Sequence, residues 1–120
     1  MSQLKAMTRG DTQAWDVQVF KDDGSGLPED ITNATVYMTA KRNIDDLDAA
    51  AIFQLVSPTN ITIVDGPTGK CRPATLASHT NTLTTDVIAH VDIECTWPDG
   101  RVYTAWRGTL PIVRDITRAP

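Results

Sequence analysis

The chain is short of the residues that most often carry chemistry. Its 120 residues hold two histidines and two cysteines. Neither a Cys-x-x-Cys nor a His-x-x-x-His spacing occurs, so no zinc motif can be read from the sequence. A Gly-x-Ser-x-Gly nucleophile elbow is absent too. Ser78 and His79 are neighbours, which on an extended chain point to opposite sides, so with any Asp they read as a solvated loop and not as a triad. Asp45, Asp46 and Asp48 lack the glycine and the closing glutamate of a calcium loop and read as a solvated acidic loop. Gly24-Ser25-Gly26 precedes no helical pattern, which makes it a flexible turn and not a phosphate cradle. The carboxylates Asp22, Asp23, Asp92, Glu94 and Asp99 fall in turns and on polar strand faces, with no cleft to pair them as a glycosidase would. No catalytic, metal or cofactor-binding residue is therefore assigned.

Long apolar runs are missing as well. The longest, Ala49-Ala50-Ala51-Ile52-Phe53, is far below membrane-spanning length. Met1 to Met7 has no apolar h-region, so no signal peptide is expected. A chain made in the cytosol keeps Cys71 and Cys95 reduced, with a 71–95 disulfide the less favoured alternative. Without a secretory signal, Asn33-Ala34-Thr35 and Asn60-Ile61-Thr62 are chance matches to a glycosylation acceptor, not glycan sites. Clustered positive charge is also lacking. The eleven lysines and arginines are scattered and the net charge is −4, which argues against nucleic acid as the main partner.

What the chain does have is alternation. In Ala89 to Trp97, the residues Val91, Ile93, Cys95 and Trp97 share one face, and His90, Asp92, Glu94 and Thr96 share the other. Pro98-Asp99-Gly100 then turns the chain into a strand that starts at Arg101 and continues to Val113. Further strands are expected at 12–20, 33–42, 52–56, 60–64 and 70–76. Pro73 lacks a donor, which predicts an edge or an interruption of the 70–76 strand. Residues 1–9 read as an N-terminal arm or an edge strand, and 114–120 as an exit tail. Asp45 or Asp46 is placed to cap one short helical turn, and 77–85 reads as a loop or another such turn. The pattern predicts one all-β domain over 1–120, a sandwich of seven or eight strands with roughly two-thirds of the chain's surface buried. Trp15, Trp97 and Trp106 sit beside aliphatic residues and read as core. Left exposed, one of them would make a sugar-stacking platform.

A family pattern runs through the same residues. Arg9-Gly10-Asp11-Thr12, the turn Lys21-Asp22-Asp23-Gly24 and Asp30-Ile31-Thr32-Asn33-Ala34-Thr35-Val36 follow one another in that order. Met38 to Arg42, Ile61 to Lys70, Asp99 to Val102 and Gly108 to Val113 continue the series. From about residue 8 to 113 the chain resembles the N-terminal domain of tailed-phage baseplate upper proteins. Ile31 and Asn33 stand where that family usually has Leu and Gly. The resemblance implies an immunoglobulin-like antiparallel β-sandwich with no catalytic residues to carry over. It also implies a structural adaptor of a phage or prophage tail, made in the bacterial host cytoplasm and resident in the virion. Its expected partners are other tail and baseplate proteins or further copies of itself, with neither nucleic acid nor membrane insertion. The alternative is a carbohydrate-binding module that uses an exposed tryptophan.

Overall fold

In the computed structural model, which describes residues 2–114 (Ser2 by its backbone alone), the alternating apolar positions meet between two β-sheets. The strands are β1 (Ser2–Gln3), β2 (Met7–Thr8), β3 (Gln13–Ala14), β4 (Val17–Gln18), β5 (Thr35–Lys41), β6 (Phe53–Val56), β7 (Ile61–Asp65), β8 (Lys70–Thr75), β9 (Val87–Thr96) and β10 (Val102–Val113). The larger sheet runs β1–β10–β9–β5–β6, with β2 also on β10. In the smaller sheet β3 and β4 lie along β8, and β7 pairs with β8 as well. The expectation of an all-β, two-sheet fold therefore holds among the described residues. The larger sheet sends Val36, Met38, Val91, Ile93, Cys95, Leu110 and Ile112 into the core, where they meet Val19, Ile61 and Cys71 from the smaller sheet side. Each fully buried aliphatic side chain there contributes roughly 1.5–3 kcal/mol relative to exposure.

The described residues form ten strand segments where the sequence predicts seven or eight. The excess arises because the two N-terminal strands are each split beside a proline. Trp15 N–H donates to the Pro73 carbonyl at 3.0 Å, and Val19 N–H donates to the Gly69 carbonyl at 2.8 Å. Pro73 has no N–H to return, so the expected strand at 12–20 divides into β3 and β4. Both halves keep a single register against β8, with Gln13 opposite Thr75 and Val17 opposite Cys71. The expectation for Pro73 is thus corrected: β8 is continuous and central, and its neighbour carries the break. Pro111 acts in the same way. The carbonyls of Thr109 and Val113 accept from Leu4 at 2.8 Å and Arg9 at 2.7 Å. Pro111, of the same parity in β10, offers no donor between them, and β1 and β2 separate there.

The N-terminal segment is an edge strand and not a free arm. It runs parallel to β10, so the larger sheet is mixed and not wholly antiparallel. Met7 lies in the core at 3% exposure. At the other terminus, Arg114 N–H donates to Asp86 Oδ1 at 2.8 Å; the remainder of the expected tail, 115–120, lies outside the described residues.

Two local features shape the outer face of the larger sheet. A 3-10 turn forms at Asp48–Ala50, three residues beyond Asp45, and Leu47 precedes it without a side-chain cap. Asp46 instead accepts the Asn43 N–H at 3.1 Å and closes the turn before it. In β10, a bulge falls between Thr104 and Trp106. It inserts Ala105 and reverses the facing of every residue after it. Tyr103 and Trp106 both turn toward the core, and Arg107 turns to the outer face opposite Asp92.

Candidate functional site

The outer face of the larger sheet carries a groove of about 500 Å³. Its floor is a grid of cross-strand neighbours. In the middle, β9 contributes His90, Asp92 and Glu94, which follow one another along the solvent side. On one flank, β5 sets Lys41 opposite His90, Thr39 opposite Asp92 and Tyr37 opposite Glu94. On the other flank, β10 sets Arg107 opposite Asp92 and Thr109 opposite His90. Gln54 of β6 extends the floor, its side-chain amide donating to Thr39 Oγ1 at 3.1 Å. Ile44, Asp45 and Asp48, from the loop between β5 and β6, form the remaining wall.

The electrostatics of the groove are uneven. Lys41 Nζ and Asp48 Oδ1 pair at 2.8 Å. The hydrogen bond from Lys41 lowers the Asp48 carboxyl pKa, and the same bond raises that of the Lys41 ammonium. Burial raises the Asp92 carboxyl above its ordinary value, while the charges of Arg107 and Lys41 pull it back. His90 Nδ1 is buried with no hydrogen-bond partner. Chemically the groove is a polar cleft whose uncommitted groups are mainly acceptors. Among the described residues, no group of three or more His, Cys, Asp and Glu side chains is placed to hold a metal ion.

The remaining sequence candidates lie apart from the groove. His79 takes the Leu76 N–H on its Nδ1 at 2.8 Å, and its ring packs against Phe53 with centroids 6.0 Å apart. It braces the turn that also holds Ser78. Cys71 and Cys95 are free and buried. All three tryptophans are half-buried against the core, and the Arg101 guanidinium lies 3.8 Å from the Trp97 ring centroid. Asn33 and Asn60 sit in the turns before β5 and β7.

A second feature gathers loops at one end of the sandwich. Ile31 N–H donates to the Gly66 carbonyl at 2.9 Å, which lays the 20–34 loop on the 65–69 turn. Arg101 Nη1 reaches Glu29 Oε1 at 2.8 Å and ties the β9–β10 hairpin to the same loop. Phe20, Leu27 and Val102 are exposed around this end of the sandwich. The 43–50 loop is not part of it; that loop lies at the opposite end of β5, over the groove.

Reading the sequence alone finds the polar row His90, Asp92 and Glu94 but not the groove. Arg107 is hidden by the bulge, because simple alternation from Tyr103 sends it inward. Tyr37 and Lys41 are brought in by pairing between β5 and β9, which are far apart in sequence. No family model matches the chain, and no curated protein matches it.

Proposed function

We propose that this chain is a non-enzymatic structural or adaptor protein of a bacteriophage or prophage tail, engaged in baseplate assembly or tail-fibre attachment through protein–protein contacts. The observation that carries the reading is the strand order. With β3 and β4 taken together as strand B, the smaller sheet runs B–E–D and the larger runs G–F–C–C′. That order supports an immunoglobulin-like reading of the sandwich, the fold that the motif resemblance implies. The N-terminal segment, parallel on β10, fits the same scheme as a strand beside G.

The loop end then supplies a contact surface. Glu29 pairs with Arg101, whose guanidinium lies over Trp97, and apolar side chains stand exposed around this end. Aromatic residues and arginine with an apolar surround are the composition of an interface centre. The test is reconstitution with the tail and baseplate proteins of the same phage or prophage, followed by light scattering on a sizing column. The expected result is a complex of discrete mass that the double substitution Phe20→Asp with Leu27→Asp weakens. A chain that stays monomeric and joins none of those proteins would overturn the proposal.

A further inference from the structure

We propose that the groove on the outer face of the larger sheet receives a cationic side chain, an arginine or a lysine, presented by an extended segment of a protein partner. This rests on the adaptor reading and deepens it by naming the partner's chemistry.

The charge of the groove favours a cation. Lys41 and Arg107 face four carboxylates, those of Asp45, Asp48, Asp92 and Glu94. Lys41 is already committed to Asp48. The Glu94 carboxylate has no hydrogen bond or ion pair among the described residues. An anion entering the groove would meet a surplus of like charge, whereas a cation meets its complement.

Hydrogen bonding points the same way, independently of charge. His90 lines the groove, and its Nδ1 is shut off from solvent with no partner. With the imidazole proton on Nε2, Nδ1 is an unused acceptor. A buried acceptor without a donor costs free energy, and a donating ligand recovers it only where the ring turns to present Nδ1 to the groove. A guanidinium carries five N–H donors and no acceptor, and an ammonium carries three. Either one matches the carboxylate acceptors of Asp92 and Glu94, for which Arg107 is the competing donor.

Asp92 adds to both effects. Its carboxyl is desolvated, and only Arg107 and Lys41 oppose that effect, with His90 and Glu94 beside it on β9 and Asp48 facing it from the loop. A cation placed against it would restore the favourable field that burial removed. Asp92 and Glu94 also project from one face, about 6.8 Å apart along the strand. Alternate side chains on an extended partner repeat at the same interval, so an Arg-x-Arg segment sets two cations over two carboxylates.

The experiment is an NMR titration of the full chain with a capped Arg-Ser-Arg-Ser peptide, run beside a capped Glu-Ser-Glu-Ser peptide. The expected result is saturable shifts at the amides of His90, Asp92 and Glu94 with the first peptide alone, weakening steeply between low salt and about 0.3 M salt. Asp92→Asn and Glu94→Gln, both close in shape to the native residues, should each weaken binding about fivefold or more. Arg107→Gln removes a competing cation and should tighten it. Absence of saturable binding, equal binding of the acidic peptide, or affinity unchanged in both carboxylate variants would overturn the proposal. Shifts at the same amides caused by self-association without peptide would do so as well, by giving the groove to a second copy. If the peptide fails while tail proteins still form a complex, the groove assignment falls and the adaptor reading stands. If the peptide binds while no tail protein does, the adaptor reading falls instead.

Discussion

At the scale of single residues, the two thiols and the groove carboxylate obey the same physics with different consequences. Cys95 lies in β9 opposite Val36 and Tyr103, and Cys71 lies in β8 opposite Val17 and Ile63. Both are enclosed by apolar neighbours, and burial pushes their pKa up to about 12 and about 11 respectively. A thiol held protonated and out of reach is a poor nucleophile. In the native protein neither should react with a thiol-specific disulfide reagent at mildly alkaline pH, and both should react at once in denaturant. Rapid native labelling would show that the thiols are open to solvent; no free thiol in denaturant would mean that the two are paired. Asp92 is also raised by burial, but it sits in a groove that solvent reaches. Its pKa in the folded chain exceeds the unfolded value. Between those two values the folded state keeps a proton that the unfolded state has lost, so stability falls as pH rises through that window. Asp92→Asn removes this dependence. Melts of the two proteins should agree best in acid, and the variant should gain on the wild type as pH climbs to neutrality. A wild type that gains on the variant instead would show that Arg107 and Lys41 outweigh the burial. The expected stabilisation and the expected loss of cation binding in the same variant belong together, since a binding site keeps a group that the fold alone would discard.

At the scale of elements, turn chemistry and breaks in alternation decide what is legible in the sequence. The alternating pattern places β9 at 89–97 and β5 at 33–42, and the strands are found at Val87–Thr96 and Thr35–Lys41. Both alternate over most of their length, and a half-buried strand writes its period into the sequence. The bulge at Ala105 leaves no such trace, because Val102 to Trp106 alternates as well as a straight strand would. The prolines are visible, but which strand breaks is not, since that depends on which edge their missing N–H faces. The groove is legible only as the polar row of β9, because its flanks come from pairings distant in sequence. Gly69 shows how tightly one turn is specified. It has φ +73°, and a Cβ there would lie 2.5 Å from the Val19 carbonyl oxygen and 2.7 Å from that of Glu29. Gly24 has the same φ of +73° and open space around it. Gly24→Ala should therefore cost only the left-handed backbone term, about 1–2 kcal/mol. Gly69→Ala adds a backbone collision and should cost about 3 kcal/mol or more. Urea denaturation of the two variants separates the terms, and equal costs would mean that the 65–69 turn moves freely from the 19–32 segment.

At the scale of the whole molecule, the two ends of the sandwich are fastened by different means. At the end that carries the 43–50 loop, backbone groups do the work. Gly10 N–H donates to Thr80 Oγ1 at 2.8 Å, and Arg9 Nη1 donates to the Leu83 carbonyl at 3.0 Å. At the loop end, one ion pair joins the hairpin of the larger sheet to the segment that leaves the smaller one. Glu29 is buried there, with its side chain 11% exposed, while Arg101 is half open at 53%. Such an asymmetric pair is dominated by its buried member. Removing the arginine strands a carboxylate that cannot regain water, and removing both charges does not. Arg101→Met should thus destabilise the chain by about 2 kcal/mol, discounted from a fully buried pair because Arg101 faces solvent. The double change Arg101→Met with Glu29→Gln should recover part of that loss. A double variant no more stable than the single one would mean that the cation–π contact with Trp97, and not the ion pair, holds the end together. The same substitution bears on the adaptor surface. If the Arg101 bridge fixes the relative positions of the 20–34 loop and the hairpin, Arg101→Met should weaken complex formation even where it is stable enough to stay folded, with protease cleavage first appearing between residues 20 and 34. Cleavage that begins at the 43–50 loop instead would place the weaker fastening at the opposite end.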